Sequence, residues 1–197
     1  MALPIHSDRE FGETLIDKAS KGDLEAFNEI VLCYQHLAYN HAYALAGDAD
    51  TADDITQESF IKAYRNINGF RGGSFRTWLL RIVTNTFYDQ WRKSRKFSVL
   101  SLTFTDSNGN EIDSPAWLID PTESIQATVE KDEDIKRLYH VLDEMPVGYR
   151  SVITLVDLFE IDYKEAAKIL KIPLGTIKSR LARARLQMKE MLLTDRG

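Results

Sequence analysis

Two stretches of this sequence carry residue types suited to handling nucleic acid, and a third is an acidic-polar cluster. The first is IPLGTIKSRLARARLQMKE, where Lys178, Arg180, Arg183, Arg185 and Lys189 recur among the hydroxyls of Thr176 and Ser179. Arginine and lysine neutralise phosphates and read guanine edges, and Ser and Thr hydroxyls serve any base. The second runs from Phe70 to Lys96. It holds seven cations (Arg71, Arg76, Arg81, Arg92, Lys93, Arg95, Lys96) against one acid, Asp89, with Phe70, Phe75, Tyr88 and Trp91 among them. Positive charge tracks a backbone while ring faces stack on unpaired bases, and the amide of Asn85 suits a base edge. The third is the acidic-polar set Asp53, Asp54, Gln57 and Glu58. By itself that set reads as a solvated helix start favoured by the macrodipole.

Other chemistries find no support. His6, His36, His41 and His140 make no zinc spacing with the single Cys33, which is expected to be packed rather than reactive. No phosphate-binding glycine loop or nucleophile elbow is present. Asp53, Asp54 and Glu58 make a poor metal cage, because adjacent helical residues point different ways. The sequence therefore predicts no metal, no cofactor and no enzymatic activity.

The elements that must position these residues are helical. Phe27, Ile30, Val31, Tyr34, Leu37, Ala38 and Ala42 recur at three- and four-residue spacings and predict a helix ended by Gly47. Ala52, Ile55, Phe60, Ala63 and Ile67 predict a second, capped by Asp50 or Thr51. After the punctuation of Gly69, Gly72 and Gly73, a third spans about Ser74 to Lys93. Its inward stripe is Phe75, Trp78, Leu79, Ile82, Val83 and Thr86, leaving Thr77, Arg81, Thr84, Asn85, Tyr88 and Arg92 off it. Residues 97–134 then change character. Turn signals at Asn108-Gly109 (a possible short hairpin), Ser114-Pro115 and Asp120-Pro121 accompany nine acids opposed only by Lys131, which reads as an acidic linker. Four further helices follow. The last two, with the small Ala166 and Ala167, the turn Lys171-Ile172-Pro173 and the stripe Ile177, Leu181, Ala184 and Met188, have the grammar of a helix-turn-helix. That stripe leaves Thr176, Ser179, Ala182 and Arg183 facing outward with Lys178 on the flank, toward a major groove.

Length and composition bound the rest. At 197 residues and 44% hydrophobic the chain can build one domain or two small ones. A net charge of -5 and a pI near 5.4 exclude a uniformly basic nucleic-acid coat and confine binding to local patches. No apolar run reaches membrane-spanning length and the start lacks a secretory pattern, so a cytoplasmic protein without membrane insertion is expected.

Residues 52–85, ADDITQESFIKAYRNINGFRGGSFRTWLLRIVTN, resemble the second region of bacterial sigma factors. Residues 161–185, IDYKEAAKILKIPLGTIKSRLARAR, resemble their fourth region. Together, separated by little more than a linker, the blocks resemble the small extracytoplasmic-function (ECF) sigma factors. The resemblance implies an all-α protein with a region-2 domain (1–96), a flexible acidic linker (97–130) and a region-4 helix-turn-helix domain (131–197). It implies that Asp53, Asp54, Gln57, Glu58 and Ile61 dock on core RNA polymerase, with Phe60 nearby. The loop Phe70, Arg71, Gly72, Gly73, Ser74 and Phe75 would hold a base flipped from the minus-ten element. Arg81, Thr84, Asn85, Tyr88 and Arg92 would read that element on the single-stranded non-template strand. Thr176, Lys178, Ser179, Arg180, Ala182 and Arg183 would read the minus-thirty-five element as duplex. It further implies an anti-sigma partner and a linker that threads a basic polymerase channel, with Trp117 and Leu118 as anchors and Asp113, Asp120 and Glu123 supplying charge. Two positions depart from the family pattern: Lys171, where glycine is common before Ile-Pro, and the small Ala182. An autonomous helix-turn-helix regulator is the competing reading; it would need a phosphoacceptor domain with strands, which the helical N-terminal half does not offer.

Overall fold

The computed structural model describes residues 15–100 and 133–194, and every regular element among them is helical. The turn signal at Asn108-Gly109 and the linker residues Asp113, Trp117, Leu118, Asp120 and Glu123 lie outside the described residues. A short helix α1 (residues 15–20) precedes α2 (Leu24–Ala46), whose N-cap Asp23 accepts a hydrogen bond from the Ala26 amide. Gly47 ends α2 with φ 84, where a β-carbon would lie 2.1 Å from Asp143 Oδ1. Helix α3 (Ala49–Asn66) is capped by Asp48, which accepts from Thr51 N at 2.8 Å. The cap therefore lies upstream of Asp50 and Thr51, because Asp48 is the residue with extended backbone ahead of the first turn. A 3₁₀ turn (Ile67–Gly69) leads through the glycine loop to α4 (Phe75–Leu100), longer than the expected end near Lys93.

The C-terminal elements are α5 (Glu133–Glu144), α6 (Val147–Ile153), a π-helical turn (Thr154–Leu158), α7 (Tyr163–Leu170) and α8 (Leu174–Thr194). Asp162 caps α7 through the amides of Lys164 and Glu165. Lys171 closes it in the left-handed conformation, φ 54 and ψ 42, and the next amide, Ile172 N, reaches back to Ala167 O at 3.1 Å. That is a Schellman end, a place normally given to glycine.

Two hydrophobic cores result. Phe27, Ile30, Ile55, Phe60, Leu79, Val83 and Phe87 centre the first. Leu142, Met145, Val152, Leu155, Ile169, Ile177 and Leu181 centre the second. Each fully buried aliphatic or aromatic side chain contributes about 1.5–3 kcal/mol. The second core also takes in Ala44 of α2 and Leu80 of α4, so the two halves pack against each other.

Polar groups complete that junction. The Arg150 guanidinium, 7% exposed, donates to Leu45 O at 2.8 Å, to Met145 O at 3.3 Å and to Asp143 O, and pairs with Asp143 Oδ1 at 3.0 Å. It satisfies carbonyls that the ends of α2 and α5 leave without helical partners. Burial lowers its pKa from the usual guanidinium value and Asp143 opposes that shift. Arg76 Nη1 donates to Phe159 O at 2.8 Å.

Candidate nucleic-acid and polymerase interfaces

Helix α8 buries Ile177, Leu181 and Ala184 and leaves Lys178, Ser179, Ala182 and Arg183 exposed, with Thr176 partly so. The expected outward face is thus open. Arg180 is half-buried, its Nη1 lying 3.3 Å from where a β-carbon on Gly148 would stand. Arg185 is engaged within the protein, where Nε and Nη2 fork onto Asp157 at 2.8 and 2.7 Å. Those hydrogen bonds raise its pKa further, and the fork ties the middle of α8 to the π turn. The N-terminal amides of α8 add a positive helix end beside the exposed cations.

In the N-terminal half, Arg71, Gly72, Gly73 and Ser74 are exposed, and both glycines hold positive φ, 87 and 90. Phe70 is half-buried, its ring 5.7 Å from Phe75 and 5.6 Å from Trp78 in edge contacts. Phe75 is core, so the loop's aromatic floor is a packed cluster. Along α4, Arg81 and Arg92 are exposed and Asn85 and Tyr88 half-buried.

Thr84 departs from the expectation that it faces outward: it is fully buried. Its hydroxyl donates to Leu80 O at 2.8 Å and lies 2.8 Å from His41 Nε2. Because the hydroxyl proton is committed to Leu80, His41 Nε2 is the donor to Thr84. The ring centroids of His41 and Phe159 lie 4.8 Å apart in a T-shaped contact, so Phe159 of the C-terminal half packs against this residue of α2. His41 Nδ1 is buried without a hydrogen-bond partner. Burial and the nearby Arg76 charge push the His41 pKa down to about 3. Tyr88 OH lies 2.8 Å from Ser151 Oγ, whose own proton goes to Val147 O. Tyr88 therefore donates to Ser151 across the junction.

On α3, Asp54 is exposed and Asp53, Gln57, Glu58 and Ile61 are half-buried on the outward side. Phe60 is 2% exposed and belongs to the core, so Ile61 alone of that pair offers apolar surface. Glu58 accepts from Gln90 Nε2 at 3.0 Å and pairs with Lys62 at 2.8 Å. Burial opposes its ionisation, but the hydrogen bonds from Lys62 and Gln90 and the charges of Lys62 and Lys93 outweigh it and hold the carboxyl below its ordinary range. Cys33, expected to be packed, is exposed on α2.

Residues 30–97 match the family model for sigma-70 region 2, and residues 135–188 match that for sigma-70 region 4. The RNA polymerase sigma-H factor of Pseudomonas aeruginosa is 32% identical, over 90% of this chain and 91% of that protein. The ECF RNA polymerase sigma-E factor of Escherichia coli K12 is 34% identical, over 91% and 93%. This chain belongs to the ECF sigma factors. Among solved structures, the sigma factor RpoE of Bartonella quintana, in complex with the anti-sigma factor NepR, matches at TM-score 0.64 and 27% identity, covering 86% of this sigma factor and 98% of that chain. CnrH, solved with the cytosolic domain of CnrY, has the same fold at TM-score 0.64 and 22% identity, over 94% and 99%. The all-α, two-domain expectation therefore holds for this sigma factor, and its function is promoter-specific transcription initiation.

Sequence reasoning missed three groups: the buried Arg150, the His41–Thr84 pair, and Lys62, which bridges α3 and α4. For His41 a signal existed, since it falls four residues after Leu37 on the apolar face of α2. Arg150 carried none beyond being a charge in an apolar stretch.

Proposed function

We propose that this sigma factor uses three surfaces at once. Asp53, Asp54, Gln57, Glu58 and Ile61 on α3 dock on core RNA polymerase, an acidic-polar patch meeting a basic surface. The loop Phe70–Phe75 and Arg81, Asn85, Tyr88 and Arg92 of α4 engage the minus-ten element during melting, where holding a flipped base offsets an unstacking cost of a few kcal/mol. Thr176, Lys178, Ser179, Arg180, Ala182 and Arg183 read the minus-thirty-five duplex. Thr84, buried against His41 of α2, lies outside the exposed part of this set. The functional units are residues 1–96 and 131–197, with 97–130 as the connecting acidic segment. The chain makes no covalent chemistry, works in the cytoplasm, and is held in check by an anti-sigma partner, by analogy with the Bartonella relative solved with one.

The observation that carries this reading is the open polar face of α8, whose opposite face is locked in the core while Lys178, Ser179, Ala182 and Arg183 stay exposed. Run-off transcription with purified core polymerase on a promoter library tests it. Arg183→Ala should shift preference at the upstream element and Asn85→Ala at the downstream one. Unchanged promoter choice and melting in both variants would overturn the assignment.

A further inference from the structure

Two arginines flank the buried stripe of α8. Taking about 100° per residue from Ile177, Arg185 stands at about 80° and Arg180 at about 300°, one on each side of Ile177, Leu181 and Ala184. Each meets the element on which α8 lies. Arg180 Nη1 is 3.3 Å from where a β-carbon on Gly148 of α6 would stand. Arg185 forks onto Asp157 of the π turn, Nε to Oδ2 at 2.8 Å and Nη2 to Oδ1 at 2.7 Å. Tyr163, the first residue of α7, lies beside the same guanidinium and adds to its stabilisation. The π turn, the first helix of the helix-turn-helix and the reading helix therefore meet at one side chain.

The core does not account for this fork. Ile177, Leu181 and Ala184 are buried without it. The Arg185 side chain is 53% exposed, and an ion pair in that setting adds little to stability. What a bidentate guanidinium–carboxylate pair supplies is direction, because two parallel bonds fix the planes of both groups. Asp157 is itself set by an irregular backbone. Phe159 N reaches Thr154 O at 3.0 Å, a five-residue step that interrupts the α-helix, and such insertions are frequent at functional sites. A smooth aliphatic stripe does not by itself stop α8 from rolling about its axis. A roll of about 20° carries side-chain atoms some 5–6 Å from the axis through roughly 2 Å. A site that discriminates needs its groups held within about 0.5 Å.

We infer that Asp157 and Arg185 are positioning residues for recognition of the upstream element: their fork, opposite Arg180 on Gly148, fixes the roll of α8 so that Lys178, Ser179, Ala182 and Arg183 enter the groove in register. This rests on the reading of α8 as the minus-thirty-five reader. It gives Arg185 no contact with DNA, since its fork is committed within the protein.

The test uses full-length protein with core polymerase, and compares the upstream duplex selected from a promoter library with its single-base variants. Asp157→Asn and Arg185→Met should each lower discrimination between them about tenfold, the size of one misplaced base contact. The double variant should be no worse than either single one, because both remove the same fork. Melting temperatures should stay within a few degrees of the parent and the salt dependence of binding should not change. If Arg185→Met loses more stability than that, Asp157→Asn, which keeps the side-chain shape, decides. Parental discrimination in Asp157→Asn would overturn the inference. So would the pattern of a phosphate contact, in which Arg185→Met weakens all duplexes alike and lowers the salt slope by about 1 while Asp157→Asn binds more tightly. Arg183→Ala is run in parallel. If it leaves preference unchanged, the upstream assignment fails; if it shifts preference while the Asp157 and Arg185 variants do not, only the positioning role fails.

Discussion

Replacing Lys171 by glycine should make this protein more stable, although it removes an entire side chain. Lys171 sits at φ 54, ψ 42, closing α7 ahead of Pro173. An L-residue in that conformation costs about 1–2 kcal/mol, and glycine escapes the cost. Glycine also widens the unfolded ensemble, which takes back roughly 0.4–1 kcal/mol. The side chain is exposed, and the hydrogen bonds that close the turn, Lys171 N to Ala167 O and Ile172 N to Ala167 O, are backbone bonds that survive. The balance favours Lys171→Gly by about 0.5–1 kcal/mol, a few degrees in Tm for a domain of this size. Lys171→Val should move the other way by at least ~1 kcal/mol, since a β-branched residue tolerates this region worst. Urea titration followed by circular dichroism, with all three proteins at one pH, reads both changes. If the glycine variant unfolds earlier than the parent, or valine causes no loss, the strain assigned to this turn is not there.

Three further outcomes follow from the geometry. His41 is buried neutral with its pKa near 3 against an ordinary 6.5, so the unfolded chain binds the extra proton. Its contribution is fully present above pH 6.5 and is lost as pH falls toward 3, at up to ~1.4 kcal/mol per pH unit; His41→Gln should flatten that part of a stability–pH curve. Arg150→Met strands the carbonyls of Leu45, Asp143 and Met145 in a buried junction, and chemical denaturation should register a loss of about 2–4 kcal/mol. Arg183→Ala should weaken holoenzyme binding to the upstream duplex by about 1–3 kcal/mol if it reads a base, or lower the salt dependence uniformly across sequences if it contacts phosphate.

How far the sequence could be read depended on what each residue answers to. The inward stripe of α8 was legible because Ile177, Leu181 and Ala184 pack within their own domain, where helical period alone sets the facing direction. The same arithmetic placed Thr84 on an outward side of α4, and it failed because His41 of the neighbouring α2 reaches that flank and takes the hydroxyl into the interior. Periodicity describes the apolar stripe of one helix; it carries no information about which polar side chain of a neighbouring helix will seek a partner on its flank. Phe60 was read correctly as part of the inward stripe of α3, whereas Cys33, expected to be packed, is exposed on α2. The π turn after Ile153 was invisible for another reason, since it is a local change in hydrogen-bond register with no compositional mark. Lys171 was legible in a different way: it stands where glycine is common in the family, and its backbone is left-handed as a glycine position would be.

The junction between the halves bears on the protein's integrity after cleavage. Ala44, Leu80, His41, Tyr88, Arg150, Ser151 and Phe159 all lie outside residues 101–132. A protease that severs the chain within that interval removes none of the groups that meet across it. The two fragments should therefore co-migrate on gel filtration as a noncovalent pair, and a nicked preparation would look intact until it is denatured.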